Sequence, residues 1–229
     1  MLLCALKLGR GGVAFPSVDL GLVALQFVVL LFSLSFHEMA HAWTADRLGD
    51  PTPRFRGRLT LNPAAHVDLL GTIVLPLVAA LTGLPLIGWA VPVSVDTRNL
   101  RRPRRDHALI AAAGPASNVA LALAGAGLLR LSHGGRWLAA LAGPALAEPL
   151  LYLLAQGVLI NLLLAVFNLI PLPPLDGSWV LGSLLPPNLS RRYDALRPYG
   201  VLLLYVFIFS PLWKLLITPV VQRAYGLLL

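Results

Sequence analysis

Five long apolar runs alternate with connections that hold most of the charge. Residues 20–36 carry no charge, and the apolar pattern continues through Trp43 to about Ala45. At 1.5 Å per residue, about 20 residues of helix cross a hydrocarbon core of roughly 30 Å. Residues 108–129 and 149–175 are two further uncharged runs, the second with a Pro-rich end. Residues 199–221 form the last, with Lys214 near the far end, where a long side chain can snorkel. Residues 67–88 are apolar too, but Asp68, Pro76, Gly83 and Pro85 interrupt them. Two stretches read as short strands: Arg58-Leu-Thr-Leu-Asn62 and Trp89-Ala-Val-Pro-Val-Ser-Val95 alternate or are β-branched.

Composition agrees with a membrane protein. The 229 residues are 57% hydrophobic and 12% charged, against about 25% charged in soluble domains. The mean hydropathy is +0.77. The length suits a single integral membrane domain over 1–229, with a core at about 20–185 and a C-terminal transmembrane helix at about 199–221. No cleavable signal peptide is expected, because Lys7 and Arg10 lead into a long run without a good cleavage site. Cys4 is the single cysteine, which excludes an internal disulfide and a Cys-based zinc site.

The net charge of +8 is mostly arginine. Arg47, Arg54, Arg56 and Arg58 lie in one connection; Arg98, Arg101, Arg102, Arg104 and Arg105 in a second; Arg191, Arg192 and Arg197 in a third. Basic residues between apolar runs mark cytoplasmic loops rather than a nucleic-acid surface, so no nucleic-acid partner is expected. The nearly uncharged connection 130–148 is then external.

Chemistry enters inside the first run, at His37-Glu38-Met39-Ala40-His41. Residues four apart share a helix face, so both imidazoles can hold one zinc ion. The Glu beside the first His can serve as general base on zinc-activated water. Three ionisable side chains in an apolar span are expensive and mark function more often than packing. Zinc in a catalytic site takes three protein ligands. Asp176 is the candidate third, because Pro171, Pro173 and Pro174 break the helix before it, and freed backbone at membrane depth is tolerated where it lines a cavity. Asn168 carries a neutral amide that can stabilise an oxyanion, or make an interhelical hydrogen bond. His66 reads as a group orienting a ligand or substrate, or as a plain loop His. Close helix packing accounts for Gly114, Pro115 and Asn118.

His37-Glu38-x-x-His41 with Asn168-x-x-Pro171-x-x-x-x-Asp176-Gly177 resembles the site-2 protease family of intramembrane zinc metalloproteases. Gly57-Arg-Leu-Thr-Leu-Asn-Pro63, His66-x-Asp68, Gly88-Trp-Ala-x-Pro92-Val and Ala113-Gly-Pro-x-Ser-Asn118 are similar to its compact bacterial and archaeal branch, which lacks PDZ-like and CBS-like extensions. The resemblance covers about residues 24–185. It implies one zinc per chain on His37, His41 and Asp176, Glu38 as base, and Asn168 near the scissile carbonyl. Val91, Ser94 and Leu69 depart from the branch pattern, outside the catalytic set.

The zinc reading constrains topology. If residues 67–88 crossed fully, the Arg101–Arg105 loop would face outside and Asp176 would emerge at the wrong end of its helix. If they dip in and return, all three Arg-rich loops are cytoplasmic and Asp176 ends beside the histidines. The expectation is therefore an all-α polytopic membrane protein. It has about four full transmembrane helices plus a re-entrant or interfacial hairpin flanked by short membrane-associated β-strands. An edge of those strands is placed to hold an extended substrate. The expected function is a zinc metalloendopeptidase of the plasma membrane, with its site nearer the cytoplasmic side, cutting transmembrane segments of protein substrates within the lipid bilayer. A zinc hydrolase acting on a lipid or lipidated substrate, and a metal transporter or scaffold, are the alternatives. A transporter is expected to carry polar ligands through the whole bilayer thickness, whereas these cluster near one side.

Overall fold

A computed structural model describes residues 20–75, 77–78, 90–132 and 136–229. All regular structure among them is helical. The chain opens with α1 (Leu20–Leu48) and the single turn α2 (Thr52–Phe55). After an irregular stretch it forms α3 (Pro103–Leu131), α4 (Arg136–Ala142) and α5 (Pro144–Asn168). Four shorter helices close the chain: α6 (Asp176–Leu184), α7 (Pro187–Asp194), α8 (Gly200–Phe209) and α9 (Thr218–Leu228).

Among the described residues, three helices are long and apolar enough to cross a membrane: Gly21–Leu48, Pro103–Leu131 and Ala145–Asn168. The last apolar run is not one straight helix. Pro187–Phe209 and Trp213–Leu228 meet at a 73° bend, so they count as one broken span or as none. Pro211 lies at that break, where its ring and missing N–H interrupt the helical ladder. Val28, Phe32, Leu123, Leu146, Leu202 and Val206 are exposed, an apolar surface that suits lipid rather than water.

Helix α3 is the hub, packed against α1, α5 and α6. Ala122 and Ala126 are buried against Val158 and Leu162 of α5 and Ile217 and Val221 near the C-terminus. Small residues let backbones approach closely where lipid gives no hydrophobic drive between helices. The start of α3 is explicit in its sequence. Pro103 occupies the first turn, and the Asp106 carboxylate accepts the Arg102 N–H at 2.8 Å.

The two predicted strands are not strands among the described residues. In 58–62 the side chains capture the backbone. Thr60 Oγ1 accepts the Asn62 N–H, and Asn62 Oδ1 accepts the Ala64 N–H, which bends the chain into the turn Pro63–Ala65. In 90–95 Pro92 lacks a ladder donor. The N–H groups of Val91 and Val93 go to His66 O and a side chain of α1 instead of a neighbouring strand. Half of the predicted re-entrant hairpin, residues 76 and 79–88, lies outside the described residues. Its entry is a helical turn, Leu69–Val74, capped by Asp68, whose carboxylate accepts the Gly71 N–H.

Candidate metal centre

His37 and His41 lie one turn apart on α1, so their rings project from one face. Their Nε2 atoms are 3.0 Å apart. Asp176 Oδ2 stands 3.1 Å from His37 Nε2 and 3.3 Å from His41 Nε2. Ligands held about 2.0–2.1 Å from a tetrahedral zinc lie roughly 3.3 Å from one another, so the triangle has the size of one face of such a site. Asp176 Oδ2 is buried and accepts no hydrogen bond from any other group among the described residues. His41 Nδ1 lies 2.7 Å from Ile110 O. A carbonyl only accepts, so Nδ1 carries the proton and Nε2 presents its lone pair to the group. A bare imidazole nitrogen facing a carboxylate oxygen in a buried pocket is a donor set that a divalent cation satisfies.

The backbone around α6 explains how Asp176 reaches α1. The prolines after α5 end that helix, and Asp176 opens the next one. A Cβ on Gly177 would lie 2.3 Å from Leu169 O, so only glycine lets the two helix ends close together. The far end of α6 is tied to α3. The Arg104 guanidinium donates to the carbonyls of Gly182, Ser183 and Leu185, the last at 2.6 Å. A cation at a helix C-terminus also complements the helix dipole.

Glu38 is buried beside the histidines, and its Oε2 accepts the Val93 N–H. The segment carrying Val93 is pinned at both ends. Val91 N–H donates to His66 O at 2.8 Å, and Asp96 N–H donates to Asp50 Oδ2 at 2.7 Å. Asp50 also accepts from Thr52 and from Asn99 Nδ2. Burial pushes the Asp50 carboxyl up, but the hydrogen bonds from Thr52, Asn99 and Asp96 outweigh it and hold it below the usual carboxylate range.

Asn168 ends α5, and its amide donates to Leu164 O at 3.0 Å rather than to a member of the group. His66 is buried. Its Nε2 donates to Thr60 O, closing the loop 60–66, and no contact joins it to the three-residue group. His107 packs against Trp179 with the rings tilted at 42° and their centroids 4.2 Å apart. His133 lies outside the described residues.

Reading by residue type missed three participants. A Cβ on Gly114 would sit 2.3 Å from His41 Nε2 and 2.6 Å from His37 Cε1. Gly114 is therefore the wall of the site, not only a packing residue. Asn118, assigned to helix packing, places Oδ1 2.6 Å from His37 Nδ1. Val93 acts through its backbone, which no side-chain pattern reveals.

The Peptidase family M50 profile matches residues 134–208, which include Asn168 and Asp176. The Bacillus subtilis (strain 168) protein named "Putative zinc metalloprotease YwhC" is 37% identical over 210 residues, covering 91% of this chain and 90% of that one. The chain belongs to peptidase family M50. Coverage that wide necessarily takes in both the His37–His41 pair and Asp176. Two relatives named "Putative zinc metalloprotease Rip2" are each 32% identical. The one from Mycolicibacterium smegmatis (strain ATCC 700084 / mc(2)155) aligns over 92% of this chain and 79% of its own. The one from Mycobacterium tuberculosis (strain ATCC 25618 / H37Rv) aligns over 86% and 71%. No solved structure matches. M50 is the site-2 protease family that the paired motifs resemble, and membership accords with a multi-pass membrane chain.

Proposed function

We propose that this M50 member is a zinc-dependent intramembrane endopeptidase, with the metal on His37, His41 and Asp176. The carrying observation is the buried triangle of two Nε2 atoms and one carboxylate oxygen, set between membrane-length helices with a glutamate alongside. A zinc ion on these atoms would supply a Lewis acid and an acidified water.

The chain's own residues divide the remaining work. Glu38 takes a proton from the attacking water and returns it to the departing amine. Its Oε2 accepts the Val93 N–H, which fixes the orientation of the carboxylate and leaves Oε1 as the less encumbered oxygen for the proton. Asn168 lies at the end of α5, next to the turn that delivers Asp176. One of its amide protons goes to Leu164 O, and the second is available to a substrate carbonyl oxygen. Gly114 keeps the space in front of the histidines open.

The substrates are transmembrane segments of other proteins. His41 lies seven residues before the end of α1, about 10 Å along the helix axis, and Arg47 follows it. The Arg-rich connections next to that end support a cytoplasmic-side site in the plasma membrane. The test is cleavage of transmembrane peptides in vesicles by the purified, zinc-loaded protein, with Glu38→Gln as control. Cleavage lost in the variant is the expected result. Equal cleavage by both proteins, or none by either, would overturn the assignment.

A further inference from the structure

We propose that Asn118 is a positioning residue that holds His37 as the Nδ1–H tautomer, and that Asn161 on α5 determines which way the Asn118 amide faces. The proposal rests on the metal reading above and concerns the second imidazole, for which no main-chain carbonyl does the job.

The proton positions follow from two backbone oxygens. Asn161 Nδ2 donates to Gly157 O at 2.8 Å and to Ser33 Oγ at 2.9 Å. Gly157 O can only accept, so the amino end of Asn161 faces it and the carbonyl end faces Asn118. Asn118 Nδ2 then donates to Asn161 Oδ1 at 2.8 Å, with Ser33 O 3.4 Å away as a second acceptor. A reversed Asn118 amide would set its oxygen against Asn161 Oδ1 and Ser33 O together. The orientation is thereby forced, and Asn118 Oδ1 faces His37 Nδ1 at 2.6 Å. An amide oxygen at that distance requires the proton on Nδ1, which leaves the lone pair on Nε2, the atom facing His41 and Asp176.

Asn118, Asn161, Ser33 and His37 are all buried, so no exposed water competes for these bonds. The relay ties α1, α3 and α5 to one ring nitrogen. His41 obtains the same tautomer from Ile110 O, which no side-chain substitution removes. His37 depends on side chains, so its orientation can be altered by mutation. Partners that orient metal-binding histidines are worth about 10–100-fold in metal affinity.

The experiment compares the full-length wild type with Asn118→Leu and Asn161→Leu. Zinc affinity is measured by chelator competition, and the visible spectrum is recorded with cobalt(II). Asn118→Leu keeps the volume and loses the acceptor. It should bind zinc about 10–100-fold more weakly and show an altered cobalt spectrum. Asn161→Leu frees the amide to turn and should show a smaller loss. Thermal unfolding of the metal-free proteins separates this from misfolding. A second measurement needs no variant. In zinc-loaded wild type with 15N-labelled histidine, the His37 proton should reside on Nδ1. Wild-type zinc affinity in Asn118→Leu, or a His37 that ligates through Nδ1, would overturn the proposal. If His41→Ala loses zinc while Asn118→Leu does not, only this inference fails. If His41→Ala binds zinc as well as wild type, the metal reading fails with it.

Discussion

Val93 donates its backbone N–H to Glu38 Oε2 across 3.2 Å, 55 positions apart in sequence. The bond anchors one carboxylate oxygen and, on the proposed mechanism, leaves the other for proton transfer. A hydrogen bond to a charged group is worth about 1.5–3 kcal/mol, roughly 10–100-fold in an equilibrium or rate. Val93→Pro removes the donor and should lower turnover about tenfold or more with zinc content unchanged. Val93→Ala keeps the N–H and should keep activity. Turnover and metal analysis on both proteins check this, and equal losses would show that the side chain, not the N–H, is what matters.

The ligand set makes a sharper separation. His37→Ala, His41→Ala and Asp176→Ala should each lower zinc occupancy, since a three-ligand site loses much with one ligand gone. Glu38→Gln should retain zinc and lose about 10²–10⁴-fold in turnover, the usual scale for general acid–base groups. Elemental analysis of the purified variants decides the assignment. Full zinc in Asp176→Ala would remove that residue from the site.

Two glycines on one helix give opposite expectations. Gly114→Ala places a methyl group 2.3 Å from His41 Nε2, so the rings must move and zinc binding should fall at least tenfold. A methyl group on Gly127 of the same helix would meet nothing within 4 Å among the described residues. Gly127→Ala should raise thermal stability by up to about 1 kcal/mol through helix propensity and leave zinc binding alone. Chelator competition and unfolding in detergent distinguish the two.

Asp50 predicts an acid limit. Its carboxyl is held below its ordinary value in the folded protein. A depressed folded pKa contributes stability that is fully present above the unfolded value, about 3.9, and is lost as pH falls through the folded value. Wild-type stability should therefore fall as pH drops below about 4, with a shallower slope in Asp50→Asn. Asp50→Ala strands the donors of Asp96, Asn99 and Thr52 and should cost about 2–4 kcal/mol at neutral pH. Unfolding in detergent from pH 3 to 7 gives both numbers.

The site was legible in the sequence because its residues are chemically conspicuous. Charged and ionisable groups inside apolar runs have few innocent explanations, and His37, His41 and Asp176 do converge. A helix boundary was legible where the prolines after Asn168 announce it, whereas α3 begins at Pro103, ahead of the apolar run at 108–129. What failed was the strand reading. Alternation in 58–62 and 90–95 is real, but a strand needs a partner, and Thr60, Asn62, Glu38 and Asp50 take the backbone donors instead. Asn118 was illegible for a related reason. A buried amide in a helix looks like packing until the ring it faces is known. The bend before α9 depends on Pro211, which a hydropathy window averages away.

Asp176 and the two histidines belong to helices separated by most of the chain, so a metal shared among them closes a very large loop. Such a clasp differs from a covalent cross-link: an ion that holds α1 and α6 together only in the folded form leaves the unfolded chain unconstrained and stabilises the fold by mass action. The stability of the bundle then follows the free zinc concentration, rising by RT ln(1 + [Zn]/Kd). If zinc binds at these three residues as proposed, a chelated preparation should unfold at a lower temperature as well as lose activity.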